Sequence, residues 1–326
     1  MRTALCLLLL LAAAPARAFL FGRSADADAD AAARLGEMRA TFEKGDCAAV
    51  LAASDTFLGT KPPAEMREEA FGYMGRCYEA SGSTDKAISL YQLAQGLYPE
   101  NTLFASRLAL IYNGAGFPEN AAPLFLKVLA LKADDLEANL GLARSYSALG
   151  FLARSAEFYA KAAELQGYRD PALLEEYARC LLRKRDWAGA EAAAVRGRAV
   201  TPRSAAWPAA EARASAGRGE YFKAVEAMDA AIRYESNRRF RLERALYLLL
   251  GGLPRRAVDA AEEELKLDPE DALASQVKGM ALYALGRRAE AGPYFTAALK
   301  GGPFTAAVAG AFLGGGATGA EATCKK

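Results

Sequence analysis

Residues 68–101 and 102–135 are two consecutive blocks that carry the same small and aromatic residues at the same offsets. Phe71, Met74, Gly75, Tyr78, Ala87, Tyr91, Ala94 and Pro99 stand where the next block has Ala105, Leu108, Ala109, Tyr112, Ala121, Phe125, Val128 and Ala133. The turn position extends the pattern through Gly82, Gly116, Gly150, Arg185, Gly219, Gly252 and Gly286, at intervals of 33 to 35 residues. A fixed period of this length means one supersecondary unit repeated, each copy burying its apolar face on the next. Small residues recur where two helices approach closely, and aromatic residues fill the gap to the following pair. Gly and Pro punctuation leaves no heptad run long enough for a coiled coil.

This order of residues resembles the tetratricopeptide repeat (TPR), in which two short helices per repeat stack on the next pair. The resemblance covers about 31–305. It implies an all-α fold, a right-handed α-α superhelix (TPR solenoid) of about eight helical hairpins. The repeats fall near 31–67, 68–101, 102–135, 136–169, 171–204, 205–237, 238–271 and 272–305. The first is degenerate, with Gly45-Asp46 at its turn and Pro62-Pro63 at its end, as a capping repeat is expected to be. Pro123 and Pro293 share one offset near the first turn of second helices, where a missing donor costs little.

Ahead of the repeats, Met1-Arg2, an apolar run from Ala4 to Ala14 and Ala16-Arg17-Ala18 read as a cleavable signal peptide, residues 1–18. The protein is therefore expected to be exported, periplasmic or secreted. The apolar run is too short to span a bilayer, and Cys6 sits too early to be a lipid attachment site. Cleavage after Ala18 takes the formal net charge from +2 to 0, which argues against nucleic acid as a partner. Residues 19–30, with Asp26, Asp28 and Asp30, are expected to form a linker. Residues 306–326 are expected to hold a closing helix and a flexible Gly-rich tail.

The chain contains no histidine, which removes Ser-His-Asp and Cys-His catalysis and the commonest metal ligand together. No Gly-rich loop ends in Gly-Lys-Ser/Thr, and the cysteines lack zinc spacing. The expected protein has no catalytic residues, no cofactor and no metal. Glu262, Glu263 and Glu264 are adjacent in sequence, fan out around a helix and read as a solvated face. Cys47 and Cys77 fall on helices that should be antiparallel neighbours. They either form a disulfide in an oxidising compartment or are two small buried residues. Cys180 shares the offset of Cys77 and reads as packed, whereas Cys324 lies in the tail.

The resemblance also implies that first helices line a concave groove. At the ninth offset of each repeat stand Arg39, Arg76, Leu110, Arg144, Arg179, Arg213, Leu246 and Met280. Five arginines among eight exceed what a charged fraction of 25%, shared among four residue types, would supply. Two readings follow: the ladder meets an anionic ligand, or it pairs structurally. Arg39 has Glu43, Arg76 has Glu79, and Arg179 has Glu175 and Glu176 within a turn. The small residues around Arg144 and Arg213 leave those two accessible, unless carboxylates of an adjoining repeat reach them. Towards the C-terminus the face turns apolar at Leu246, Met280 and Tyr283, for a partner helix or for the chain's own closing helix.

Carboxylate-clamp and asparagine-ladder patterns known in other TPR proteins are absent; the ladder offset reads Gly36, Tyr73, Arg107, Gly141, Glu176, Ala210, Glu243 and Val277. The expected function is a non-catalytic scaffold of the cell envelope that binds an extended or helical segment of a partner protein. The alternative is a module that holds an anionic glycan or other polymer through the groove arginines.

Overall fold

A computed structural model describes residues 25–313. The signal peptide expected at 1–18, the tail from 314 and Cys324 lie outside the described residues. Among the described residues the chain forms seventeen α-helices and no strand. It divides into two compact units, residues 1–104 and 105–326, each taken by itself below.

The first unit holds α1 (Ala25–Glu43), α2 (Cys47–Gly59), α3 (Ala64–Ala80) and α4 (Thr84–Leu97). It also holds the opening residues of α5 (Thr102–Gly114). Helices α1, α2 and α3 pack on one another, and α4 packs on α3. The acidic run expected in a linker is helical instead. Asp26 and Asp28 lie in the first turn of α1, where carboxylates suit the positive end of the dipole, and Asp30 accepts a 3.0 Å hydrogen bond from Arg34 Nε. Alternating alanines, the strongest helix formers, carry the helix back through that stretch. Helix α3 likewise begins four residues before 68, because Pro63 serves as its N-cap. Cys47 and Cys77 form a disulfide between α2 and α3, with Cα atoms 4.9 Å apart.

The second unit continues from α5 through α6 (Pro118–Leu131), α7 (Leu136–Ala148), α8 (Leu152–Leu165), α9 (Pro171–Lys184) and α10 (Trp187–Val200). It goes on through α11 (Ala206–Gly217), α12 (Tyr221–Tyr234), α13 (Arg238–Leu250) and α14 (Pro254–Leu267). Helices α15 (Ala272–Ala284), α16 (Arg288–Ala298) and α17 (Pro303–Leu313) complete it. From α6 onward each helix packs on the next, the arrangement of a helical solenoid.

Why each hairpin turns where it does is visible in the backbone. Gly82, Gly116, Gly150, Gly219, Gly252 and Gly286 all take φ between +72° and +81°. The next N–H in each case reaches back to close the helix end, as Phe151 N does to Tyr146 O at 2.9 Å and Leu253 N to Leu248 O at 2.9 Å. The accepting residues are those of the recurring tyrosine offset. Arg185 fills this left-handed position in the one repeat without glycine, with φ +63°. Side-chain caps open several helices: Asp135, Asp170, Asp186, Asn237 and Asp271 accept backbone N–H groups of α7, α9, α10, α13 and α15.

The core lies between the helices of a hairpin and the next hairpin. Tyr91, Phe125 and Trp207 are fully buried, and their rings cover the bare Cα atoms of Gly75, Gly141 and Gly197 respectively. Each such aromatic contributes roughly 1.5–3 kcal/mol of burial. Trp207 also satisfies its only donor, Nε1, at Thr201 Oγ1 (2.9 Å). Pro123 and Pro293 lie five residues past the starts of α6 and α16, so each removes one intrahelical hydrogen bond rather than sitting in the free first turn. Among the described residues no helix is long and apolar enough to cross a membrane.

Candidate binding face

In the second unit the first helices α7, α9 and α11 carry the ninth-offset arginines Arg144, Arg179 and Arg213, and their surroundings decide which of the two readings each one follows. Arg144 is paired. Its Nε donates to Glu176 Oε2 (2.8 Å) and its Nη2 to Glu176 Oε1 (2.7 Å), a two-pronged bond from α7 to α9. Tyr159 Oη donates to the same carboxylate at 3.1 Å. Burial works against charge on Glu176, but the hydrogen bonds and charge of Arg144 outweigh it and lower its pKa. Desolvation beside that carboxylate pushes the Tyr159 phenol up.

Arg213 repeats the arrangement one step on. Its Nε and Nη2 donate to Glu243 of α13 at 2.9 and 3.0 Å, and Arg239 Nε donates to the same carboxylate at 2.9 Å. The small neighbours of Arg144 and Arg213 thus do not leave them unpaired: each reaches forward to the sixth offset of the next first helix. Within the first unit, Arg39 does the same. It passes over Glu43 and donates to Glu69 Oε1 (Nη2, 2.6 Å) and to the Tyr73 hydroxyl (Nε, 3.2 Å). Desolvation opposes ionisation of Glu69, while hydrogen bonds from Tyr73 and Arg39 lower its pKa on balance.

Arg76 and Arg179 make no such ion pair among the described residues; the sixth offset ahead of Arg179 holds Ala210, which offers no acceptor. Arg76 lies over the ring of Phe42, 4.8 Å from its centroid, instead of pairing with Glu79. Arg179 is exposed and, among the described residues, makes no ion pair with Glu175 or Glu176. It borders a cavity of about 800 Å³ together with Arg183, Arg213, Arg239, Phe240 and Glu175. On α11 that cavity is lined by the partly exposed Ala206 and by Ala209 and Ala210, which are buried in the core. A second cavity of about 840 Å³ lies between α5 and α7, bordered by Leu110, Leu136, Leu140, Gly141 and Arg144.

The apolar end of the face is largely occupied by the chain itself. Tyr283 packs edge-on against Phe312 of α17, with centroids 5.0 Å apart, and Phe312 stacks on Phe295 at 4.7 Å. Met280 joins the same core, and Leu246 is half-buried. Sequence reasoning missed the charge pairing beside it. Arg238 pairs with Asp271, Arg241 with Glu264, and Arg244 with Asp229, so most of the local run of arginines is neutralised. Glu264 is buried at 5% exposure rather than part of a solvated face, because Arg241 supplies two hydrogen bonds that compensate its desolvation. Arginines spaced by three along α13 were the only available signal. Cys180 is buried and its thiol lies 3.2 Å from Ser155 Oγ. Among the described residues no group of three or more acidic or cysteine side chains is placed to hold a metal ion.

The family model of the tetratricopeptide repeat matches residues 251–306. A comparison with curated proteins finds no match. Among solved structures, a tetratricopeptide repeat protein from Parabacteroides merdae shares 14% identity over 77% of this chain and 98% of its own, with a TM-score of 0.50. YrrB, described as a TPR protein with an unusual peptide-binding site, shares 14% identity over 56% of this chain and 95% of its own (TM-score 0.48). Pseudomonas aeruginosa pilF shares 15% over 65% and 96% (TM-score 0.47). The first of these likenesses supports the fold. Residues 251–306 match the tetratricopeptide repeat, and the hairpin that recurs along the helices gives the chain the solenoid fold of tetratricopeptide repeat proteins.

Proposed function

We propose that the chain is an exported, non-catalytic scaffold of the cell envelope that seats an extended segment of a partner protein on the face formed by its first helices. The observation that carries the reading is the cavity beside Arg179, an exposed guanidinium that makes no ion pair among the described residues and stands with Arg183, Arg213 and Arg239 around it. An excess of guanidinium groups on an accessible face suits an incoming anionic segment. The absence of histidine supports a binding rather than a catalytic role, and the leader-like residues 1–18 support export.

The test is affinity capture from envelope extract with the mature protein as bait, followed by reconstitution with the purified captured protein. The expected result is one partner whose binding is lost in both the Ala206→Glu and Ala206→Trp variants, at the partly exposed alanine of that cavity, at unchanged helicity. Capture of polysaccharide and no protein overturns the reading in favour of an anionic polymer, as does a partner indifferent to those replacements in favour of another face.

A further inference from the structure

The cavities bordered by Arg144 and by Arg179 belong to one binding track. Arg144 edges the apolar cavity between α5 and α7, and its partner Glu176 stands on α9 next to Glu175, which edges the arginine cavity. Their linings are opposite in chemistry. The first is walled by Leu110, Leu136 and Leu140, with Asn113, Glu137 and Arg144 at its polar edge. The second is bordered by four guanidinium groups, and the carboxylates near it do not balance them. Glu243 is shared between Arg213 and Arg239. Arg183 spends one nitrogen on neutral acceptors, Ser147 Oγ at 2.8 Å and Ser147 O at 3.2 Å. Arg179 has no ion-pair partner, and Glu175 is the one other acid on the cavity's edge. Arg179 and Arg183 are one turn apart on α9, so both point to the same side.

Resting on the scaffold reading, we propose that the partner segment is bipartite: one large apolar side chain enters the leucine-walled cavity, and a cluster of carboxylates, set apart along the chain, binds Arg179 and Arg183. Charge complementarity fixes the acidic end, because two guanidinium groups on a half-open cavity meet carboxylates with short, charge-assisted hydrogen bonds. The separation follows from the helix spacing. First helices stand about 10 Å apart, so from between α5 and α7 to α9 is about 15 Å, which an extended chain covers in roughly four or five residues.

Synthetic peptides with one leucine, a Gly-Ser spacer of two, five, seven or ten residues and an Asp-Glu-Asp cluster, made in both chain orders, are titrated into the full mature protein by fluorescence anisotropy. In at least one order the affinity peaks near a spacer of five. Asn-Gln-Asn in place of the acids, serine in place of the leucine, and the Arg179→Gln/Arg183→Gln variant each weaken that peptide about tenfold. Equal affinity at every spacer length overturns the two-point track, and affinity unchanged by the arginine variant overturns the acidic end. No binding by any peptide, alongside a partner whose capture is lost in the Ala206 variants, defeats this inference and leaves the scaffold reading standing. Loss of both defeats both.

Discussion

Arg144 and Glu176 face each other across two first helices and share two nearly parallel hydrogen bonds of 2.8 and 2.7 Å. The pair joins one repeat to the next, and Arg144 borders the cavity between α5 and α7. Half of the Arg144 side chain is exposed, so solvent screens the attraction and the pair contributes about 0.5–1 kcal/mol. Glu176→Gln should cost that much in urea unfolding at pH 7.

The same carboxylate sets an acid dependence. Its folded pKa lies below that of a free glutamate, so its contribution is present above the free value and is lost as pH falls through the lowered folded one. Glu69 in the first unit behaves alike. Unfolding midpoints measured from pH 7 down to pH 3 should fall less steeply in Glu176→Gln than in the parent; identical slopes would contradict the pairing.

Arg185 pays a conformational cost that glycine avoids at the equivalent turns. Arg185→Gly should stabilise the protein by about 0.5–1 kcal/mol, the left-handed strain relieved less the added entropy of the unfolded chain. A lower denaturant midpoint would show that the guanidinium makes a compensating contact.

Gly75 and Gly141 have the opposite requirement, since a methyl group there meets the rings of Tyr91 and Phe125. Gly141→Ala should cost about 1–3 kcal/mol through overpacking, although alanine is the better helix former. Recovery by Gly141→Ala/Phe125→Leu, which frees the space, would locate the cost in that contact.

The Cys47–Cys77 disulfide closes a separation of 30 residues and should add about 3–4 kcal/mol to the unit that contains it. Hydrogen exchange in α1, α2 and α3 should accelerate with dithiothreitol, while α9 to α13 remain unchanged. Cys47→Ser should reproduce the effect without reductant.

The period of the turn residues determined the helical hairpin, because a left-handed residue at a fixed interval ends a helix whatever surrounds it. The offsets of small and aromatic residues determined which helices approach closely: Gly75 with Tyr91 and Gly197 with Trp207 depend on size alone. Neighbours one turn away in sequence did not determine the fate of the arginines. Glu43, Glu79 and Glu175 were near at hand, but Arg39, Arg144 and Arg213 pair with residues 30 or 32 positions on. A side chain on a stacked helix projects towards the next helix rather than along its own, so only the tertiary stacking decided which guanidinium groups are neutralised. It also decided that Tyr283 meets Phe312, and that Arg179, opposite Ala210, is left without an ion-pair partner at the edge of a cavity.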